Sequence, residues 1–300
     1  MSGVCKESKK VKFEFIRNEA GDHSVKLLCK LLNVSRAGYY AFRHRPPSQT
    51  ALHHQWLTGE IKRVFDEHKG RYGSPRIAQQ LYEEGIETNK KTVAMLMQRA
   101  GLVSVYSRKR RKKQHHASKE GVLHDNLLKR DFNSSKPGMI FVTDITYVPC
   151  SDGRLYLTPY LDLATRLPKS YGITEHMRKS CVIEPLERLL RQGDAKEGAM
   201  THSDQGSQYR SYAFAALCEE NGLRQSMSAA GKPIDNAVAE AFFKTVKTEV
   251  IKPNRHLTKA QMEVVLRNYL DDYYPNKRIH TTLGMTPLQY EQQLLTKMVT

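Results

Sequence analysis

The sequence predicts a mixed α/β domain preceded by all-α segments and followed by a helical tail. Three observations predict it. Between residues 24 and 106, apolar positions recur at helical spacing between cap and turn residues. From residue 138 the words become β-rich, first as a three-strand meander and then as helices alternating with strands. Charge divides at nearly the same place: residues 1–130 hold 27 Lys+Arg against 12 Asp+Glu, a net of +15, and residues 131–300 hold 21 against 19, a net of +2. A basic front joined to a nearly neutral back implies a polyanion-binding region attached to something else.

Each element follows from local chemistry. Residues 24–43, SVKLLCKLLNVSRAGYYAFR, read as two short helices around a turn. Val25, Leu28, Leu31 and Leu32 form a stripe, Asn33 breaks it, and Ser35 can cap a helix beginning at Arg36. That is helix-turn-helix grammar, although a plain helical hairpin would satisfy the same residues. RPPSQT (45–50) closes this first segment, 1–47, and a helical DNA-binding unit is expected over 48–106. Residues 51–68 are periodic. Then GRYGSPRIAQQLYEEGI supplies a turn, a Ser74 cap, Pro75 at the first helical position and a helix to about Glu84. Asn89 is placed to cap a further helix, and Lys90 and Lys91 at its start could approach phosphates, where helix amides also point. Arg71 and Arg76 are candidate DNA contacts of the same unit.

SRKRRKKQHH (107–116) contains six consecutive cations: Arg108, Lys109, Arg110, Arg111, Lys112 and Lys113. Such density cannot pack in a core, and nucleic acid phosphates would relieve the mutual repulsion; a solvated linker would tolerate it too. A basic linker is therefore expected over 107–135, and the α/β core over 136–254. MIFVTDITYVPC predicts one strand, and GRLYLTPYLDLATRLPKSYGIT two more around a turn near Ala164–Arg166. RKSCVIEPLERLLRQG is an amphipathic helix with one internal proline, and GAMTHSDQGSQY is a strand running into a polar loop. SYAFAALCEENG is a helix, LRQSMS a short strand, and IDNAVAEAFFKTVKTE a helix that Asp235 is expected to cap. The remainder, 255–300, is expected to be a helical extension.

Within the core, three acids stand apart. Asp144 interrupts an apolar strand, where a carboxylate is costly unless something positive neutralises it. Asp204 ends a strand at a loop, and Glu240 lies on a helix 36 positions later. Converging, they would repel unless divalent ions bound between them, and an all-oxygen site suits Mg²⁺ or Mn²⁺. Two such ions about 3.5–4 Å apart make the clamp used for in-line phosphoryl transfer. On a helix, Glu240, Lys244 and Lys247 share one face, so the lysines could touch DNA phosphate beside the metal ligand. His202 could orient phosphate or a metal-bound water, but structural hydrogen bonding is its expected role; Asp162 is expected to serve a turn or salt bridge, and Tyr273 and Tyr274 packing.

The surrounding words carry a more specific signal. TDITY, HSDQGSQY and DNAVAEAFFKTVK resemble the three catalytic blocks of retroviral-integrase-like (DDE) transposases from bacterial insertion sequences. Asp204 and Glu240 keep the family's 35 intervening residues, and Lys247 matches its basic residue seven after the glutamate. SVKLLCKLLNVSRAGYYAF and GRYGSPRIAQQL are similar to its N-terminal DNA-binding segments, and YYPNKRIHTTLGMTPLQY to its C-terminal signature. Ala229, Ala230 and Lys232 depart from a stretch that is often more polar.

The resemblance implies an RNase H-like core with a mixed five-stranded sheet, and Asp144, Asp204 and Glu240 as catalytic metal ligands for two Mg²⁺ or Mn²⁺ ions. It implies cleavage at element ends and strand transfer by direct transesterification on double-stranded DNA, comprising terminal inverted repeats and target. Its partners would be a first-reading-frame protein, or a frameshift fusion with it, and further copies of this chain. A non-catalytic DNA-binding regulator or domesticated relative shares the helical segments but has no need of three acids. An RNase H-type nuclease shares the metal chemistry but not the N-terminal units. No apolar run approaches the ~20 residues that span a bilayer and MSGVCKESKK lacks a signal-peptide core, so a cytoplasmic, nucleoid-associated protein is expected. Five scattered cysteines without a CxxC pair predict neither a disulfide framework nor a zinc module.

Overall fold

The computed structural model describes residues 7–46, 48–107, 121–229 and 233–299. Its first helices are set by hydroxyl caps. Ser8 precedes α1 (Lys9–Glu19), Ser24 precedes α2 (Val25–Leu31), and Ser35 Oγ accepts from the Gly38 amide at 3.0 Å to open α3 (Arg36–His44). Asn33 makes the bend between α2 and α3 with φ of 51°, a conformation asparagine tolerates better than most residues. Ile16, Leu28, Cys29, Leu32 and Tyr39 bury the shared face, so the hairpin is a three-helix unit whose first helix the sequence reading had not marked.

A second helical unit packs α4 (Gln49–Glu67), α5 (Ser74–Glu83) and α6 (Lys90–Arg99) around Leu57, Ile61, Ile77, Leu81, Val93 and Leu96. Asn89 caps α6 as expected, accepting from the Lys91 and Thr92 amides, both at 3.0 Å. Ser74 does not cap α5. The helix opens one residue earlier, with Gly73 at the cap; glycine has no side chain to accept a bond, and the Arg76 and Ile77 amides donate to its carbonyl instead, both at 3.1 Å.

The core is a mixed sheet of β1 (Ile140–Thr143), β2 (Thr146–Cys150), β3 (Gly153–Asp162), β4 (Pro168–Thr174), β5 (Met200–Ser203) and β6 (Arg224–Met227). β1 and β2 lie end to end along one edge of β3 in unbroken register: Thr143 faces Tyr160 and Thr146 faces Leu157. They are one strand interrupted at Asp144 and Ile145, so the sheet is five strands wide. β4 pairs antiparallel with the other edge of β3, while β5 and then β6 add in parallel beside β1. Alternation divides the core. Phe141 and Tyr160 face α7 (Ser180–Arg191) and α8 (Tyr212–Glu220), and Val142 and Leu161 face α9 (Ala237–Val246) and α10 (Lys259–Asn268).

Two expected boundaries move. Beyond the undescribed stretch, residues 121–135 do not behave as a linker: Leu128 is buried in the core, and Asp125 O and Ser226 Oγ accept from the amides of Met227 and Leu127 along β6. The tail is no separate extension either. Met262, Leu266, Tyr269, Leu270 and Tyr274 complete the layer over the sheet, while Ile279 sits in the core of the second helical unit. After α10 the chain winds as a π-helical stretch, Tyr269–Lys277, and ends in α11 (Pro287–Val299).

Candidate active site

Asp144 sits where the first strand loses its ladder. β1 and β5 are parallel with Val142 opposite His202, so Asp144 and Asp204 leave neighbouring strands side by side at their carboxyl ends. Thr143, immediately before Asp144, is held from both other segments. Its hydroxyl meets Tyr209 Oη at 2.9 Å, from the loop that carries Asp204. Its carbonyl accepts from Asn236 Nδ2 at 3.1 Å, at the head of the helix that carries Glu240. One buried residue thus ties the three acid-bearing segments together.

The electrostatics agree with that convergence. Burial, then the charge of Asp204, pushes the Asp144 carboxyl up to about 7, with Glu240 adding to the rise; the Ile145 amide and Lys247 oppose it. Burial also raises Asp204 against a hydrogen bond from the Gly206 amide at 2.9 Å, and raises Glu240 against Lys247. Lys247 lies over the Phe243 ring at 5.6 Å and exerts a positive field on both Asp144 and Glu240. Lys244 is exposed on the same helix. The helix changes winding just there, passing into a π-turn over Lys247–Ile251. Among the described residues, no three His, Cys, Asp or Glu side chains already stand as a closed metal cage. Burial raises all three carboxyls, and Asp144 alone is raised further by the charges of the other two. As an all-oxygen donor set they fit Mg²⁺ or Mn²⁺.

The nearby polar groups resolve into supports. His202 is wholly buried, with Nδ1 at 2.8 Å from Ser226 Oγ, and Nε2 at 3.1 Å from both Ser228 Oγ and the Asp235 carbonyl. This is the structural role expected of it. Asp235 does not cap α9. It is buried, ion-paired with Arg130 at 2.6 Å, and accepts from Asn126 Nδ2 and the Ala229 amide. Asp162 accepts from the Thr165 amide at 2.8 Å and from the Gly138 amide, a turn role. Asn236 and Tyr209 were missed in the sequence, since their partners lie 93 and 66 residues away.

The expected DNA contacts divide. Lys90 and Lys91 are exposed at the start of α6. Arg71 and Arg76 turn inward instead. Arg71 stacks on Tyr273 at 4.2 Å and Tyr269 at 5.2 Å. Arg76 reaches Glu249 at 3.7 Å and Thr281 at 3.4 Å. Both tie the second helical unit to the tail, because aromatic faces and a buried carboxylate compete for guanidiniums otherwise available to phosphate. Arg108, Lys109, Arg110, Arg111, Lys112 and Lys113, with Ala230 and Lys232, lie outside the described residues.

Comparison with known proteins places this architecture. Models described as Integrase core domain match residues 134–233 and 240–295, and one described as HTH-like domain matches residues 54–110, which contain most of α4 and all of α5 and α6. The chain is 34% identical over 252 residues to the transposase for insertion sequence element IS904 of Lactococcus lactis, covering 83% of this chain and 98% of the relative. It is 32% identical over 288 residues to transposase InsF for insertion sequence IS3A of Escherichia coli, covering 95% and 100%. The magnesium-bound catalytic core domain of HTLV-2 integrase superposes with a TM-score of 0.40 at 13% identity, covering 51% of this chain and 96% of that one. On the two curated relatives and the domain matches, the chain belongs to the insertion-sequence transposases with an integrase core domain.

Proposed function

We propose that the chain cuts DNA at the ends of its element and joins the freed ends to new DNA, with Asp144, Asp204 and Glu240 as the catalytic centre. The observation that carries this is the stitching of all three acid-bearing segments at Thr143, with Asp144 raised by burial and then by the charges of Asp204 and Glu240. When bound by these carboxylates, a pair of Mg²⁺ or Mn²⁺ ions would supply Lewis acidity at both the entering and the departing oxygen of a phosphodiester. Asp144, Asp204 and Glu240 would hold that pair, and Lys247, already beside them, would hold the non-bridging oxygens of the scissile phosphate. Lys244 would meet the neighbouring phosphate along the same helix face.

Two displacements follow in the same centre. In the first, a water oxygen bonds to phosphorus and the P–O3′ bond breaks; one water proton ends on the departing oxygen, leaving a 3′ hydroxyl, and the other is released to solvent from the new 5′ phosphate. In the second, that hydroxyl bonds to the phosphorus of another phosphodiester and displaces its 3′ oxygen, which takes up, through solvent, the proton the attacking hydroxyl gives up, so one linkage is exchanged for another. No covalent protein–DNA bond is needed. Thr143, Tyr209 and Asn236 orient the acids, and His202 braces the helix start from below through the Asp235 carbonyl. Pairing two DNA ends calls for at least two copies, and the reading includes a first-frame protein or fusion that adds further DNA-binding surface.

Strand transfer with Mg²⁺ on DNA carrying candidate ends tests the centre, comparing this chain, its fusion to an upstream frame, and Asp144→Asn, Asp204→Asn and Glu240→Gln. Each variant is expected to lose cutting by at least about 100-fold, the scale of a lost transition-state interaction of ~3 kcal/mol. DNA binding should persist in all three. Retained cutting in any one removes that residue from the mechanism.

A further inference from the structure

The helix that carries Glu240 walls a second, unassigned cavity of about 310 Å³. Ala237, Ala241 and Thr245 form the helix side, and Arg76, Arg166 and Arg278 stand in its lining. At 100° per residue those helix positions centre roughly 90° from the face of Glu240, Lys244 and Lys247. The cavity therefore adjoins the catalytic face without belonging to it.

Arg166 is the odd residue in it. Its φ of 64° is left-handed, a conformation that strains a non-glycine residue. Its Nη2 donates to the Phe132 carbonyl at 3.1 Å, but its buried Nη1 has no hydrogen-bond partner. Burial holds its pKa below the ordinary arginine value, outweighing the nearby Tyr274 and the charge of Asp162. The other two guanidiniums are committed: Arg278 lies 3.0 Å and Arg76 3.7 Å from Glu249. Three cations thus face two buried carboxylates, Glu249 beside Arg76 and Arg278 and Asp162 near Arg166, and the balance is still positive. His280 Nδ1 is a second buried polar atom without a partner here. Burial, then Arg278, Arg166 and Arg76, holds that imidazole at about 4, so it is neutral at physiological pH. Thr281 and Thr282 bring exposed hydroxyls to the opening. A strained backbone, an unmet guanidinium donor and excess positive charge around a partly apolar hollow are the features of an anion site awaiting its ligand.

We propose that this cavity is a phosphate subsite that takes a backbone phosphodiester of the bound DNA strand, with Arg166 and the Thr281 and Thr282 hydroxyls donating to its non-bridging oxygens. The subsite rests on DNA being the substrate. It would fix the strand a short way along from the scissile phosphate, setting register at the catalytic helix. Free phosphate or a nucleotide offers the same chemistry, so the test separates these sources.

The test is fluorescence anisotropy of a labelled duplex against full-length protein across a salt series, for the wild type, Arg166→Gln and Ala241→Glu. Ala241 is exposed within α9, where glutamate is a good helix former, so that variant fills and neutralises the cavity without emptying a core. Both variants are expected to weaken binding about five- to tenfold and to reduce the slope of log K against log salt by about one, the signature of one lost phosphate. Thermal unfolding identifies a variant that has merely lost its fold. Ala241→Glu with a wild-type melting temperature, affinity and slope overturns the proposal. If inorganic phosphate raises the melting temperature of the wild type but not of Ala241→Glu, while DNA affinity and slope are unchanged, the cavity takes free phosphate and the DNA assignment falls. Cutting by the acid variants is read in a separate assay, so either reading can fail while the other stands.

Discussion

At the scale of single residues, Asp144, Asp204, Glu240 and Lys247 stand out in the sequence because each sits in a short word with few other uses. A carboxylate in an apolar strand demands a cation, and the spacing of Glu240 and Lys247 brings them to one helix face whatever the tertiary structure. Asn236 and Asp235 were not legible, because their work is done on partners far away in sequence: Asn236 on Thr143, Asp235 on Arg130. An aspartate before a helix looks like a cap until the fold supplies an arginine. His202 shows a consequence at this scale. Burial, against hydrogen bonding to Asp235, holds its pKa at about 4, below the 6.5 of an exposed imidazole. As pH falls from 6.5 toward 4, the unfolded chain binds the proton and the folded one resists it, so stability drops over that window and no further below it. The full loss from this group is up to about 3 kcal/mol. Urea unfolding at pH 7.5 and 4.5 should show His202→Gln less stable than wild type at the higher pH, with a smaller decline between the two. An equal decline in both would mean that the imidazole is already protonated when folded.

At the scale of elements, most helix limits followed periodicity closely, the lateral order of the strands left no mark in it, and the failures have identifiable causes. The interruption at Asp144 and Ile145 leaves apolar alternation nearly intact, so one strand was expected where two segments stand in one register. The π-turns at Lys247–Ile251 and Tyr269–Lys277 leave no mark in a 3.6-residue period, yet they aim the polar residues that join the elements. Glu249 in the first of them is buried. Burial alone would raise its carboxyl, but Arg278, Tyr106 and Tyr269 hold it below the usual range. Arg278 Nε donates to both its oxygens, at 3.0 and 3.1 Å, and Tyr269 Oη donates at 2.6 Å. Glu249→Gln leaves the Arg278 charge buried without its counter-ion and should destabilise the protein by about 3–5 kcal/mol. Replacing both partners, as Glu249→Leu with Arg278→Leu, removes both charges and should cost well under the sum of the single losses. Denaturant midpoints of the four proteins make the cycle. Strict additivity would show that the pair does not couple the helix of Glu240 to the tail.

At the scale of the whole molecule, composition told a binding half from a chemical half but misplaced the joints. The tail returns to the front of the chain: the Tyr72 hydroxyl donates to the Lys277 carbonyl and accepts from the Ile279 amide, both at 2.9 Å, which a boundary drawn along the sequence cannot show. Arg71 and Arg76 are consumed in that same junction, so they no longer count toward the charge offered to DNA. Of the DNA contacts expected from the sequence, those left for phosphate are the exposed pair Lys90 and Lys91, the lysines Lys244 and Lys247, and the run Arg108–Lys113. Six adjacent cations cannot be balanced by a segment that bears no acid until Glu120. Their field falls away over about 10 Å in 0.1 M salt, so they act at close range or hardly at all. Each cation that meets a phosphate contributes close to 0.9 to the slope of log K against log salt. Replacing all six by serine and glutamine should therefore flatten that slope by about 3–5 and weaken binding most at low salt, while the melting temperature stays unchanged. Arg71→Gln should do the reverse, lowering the melting temperature by loosening the stack on Tyr273 and leaving the slope as it was. A serine-substituted run with the wild-type slope would make it a spacer, and would leave the lysines of α6 and α9 to carry the affinity.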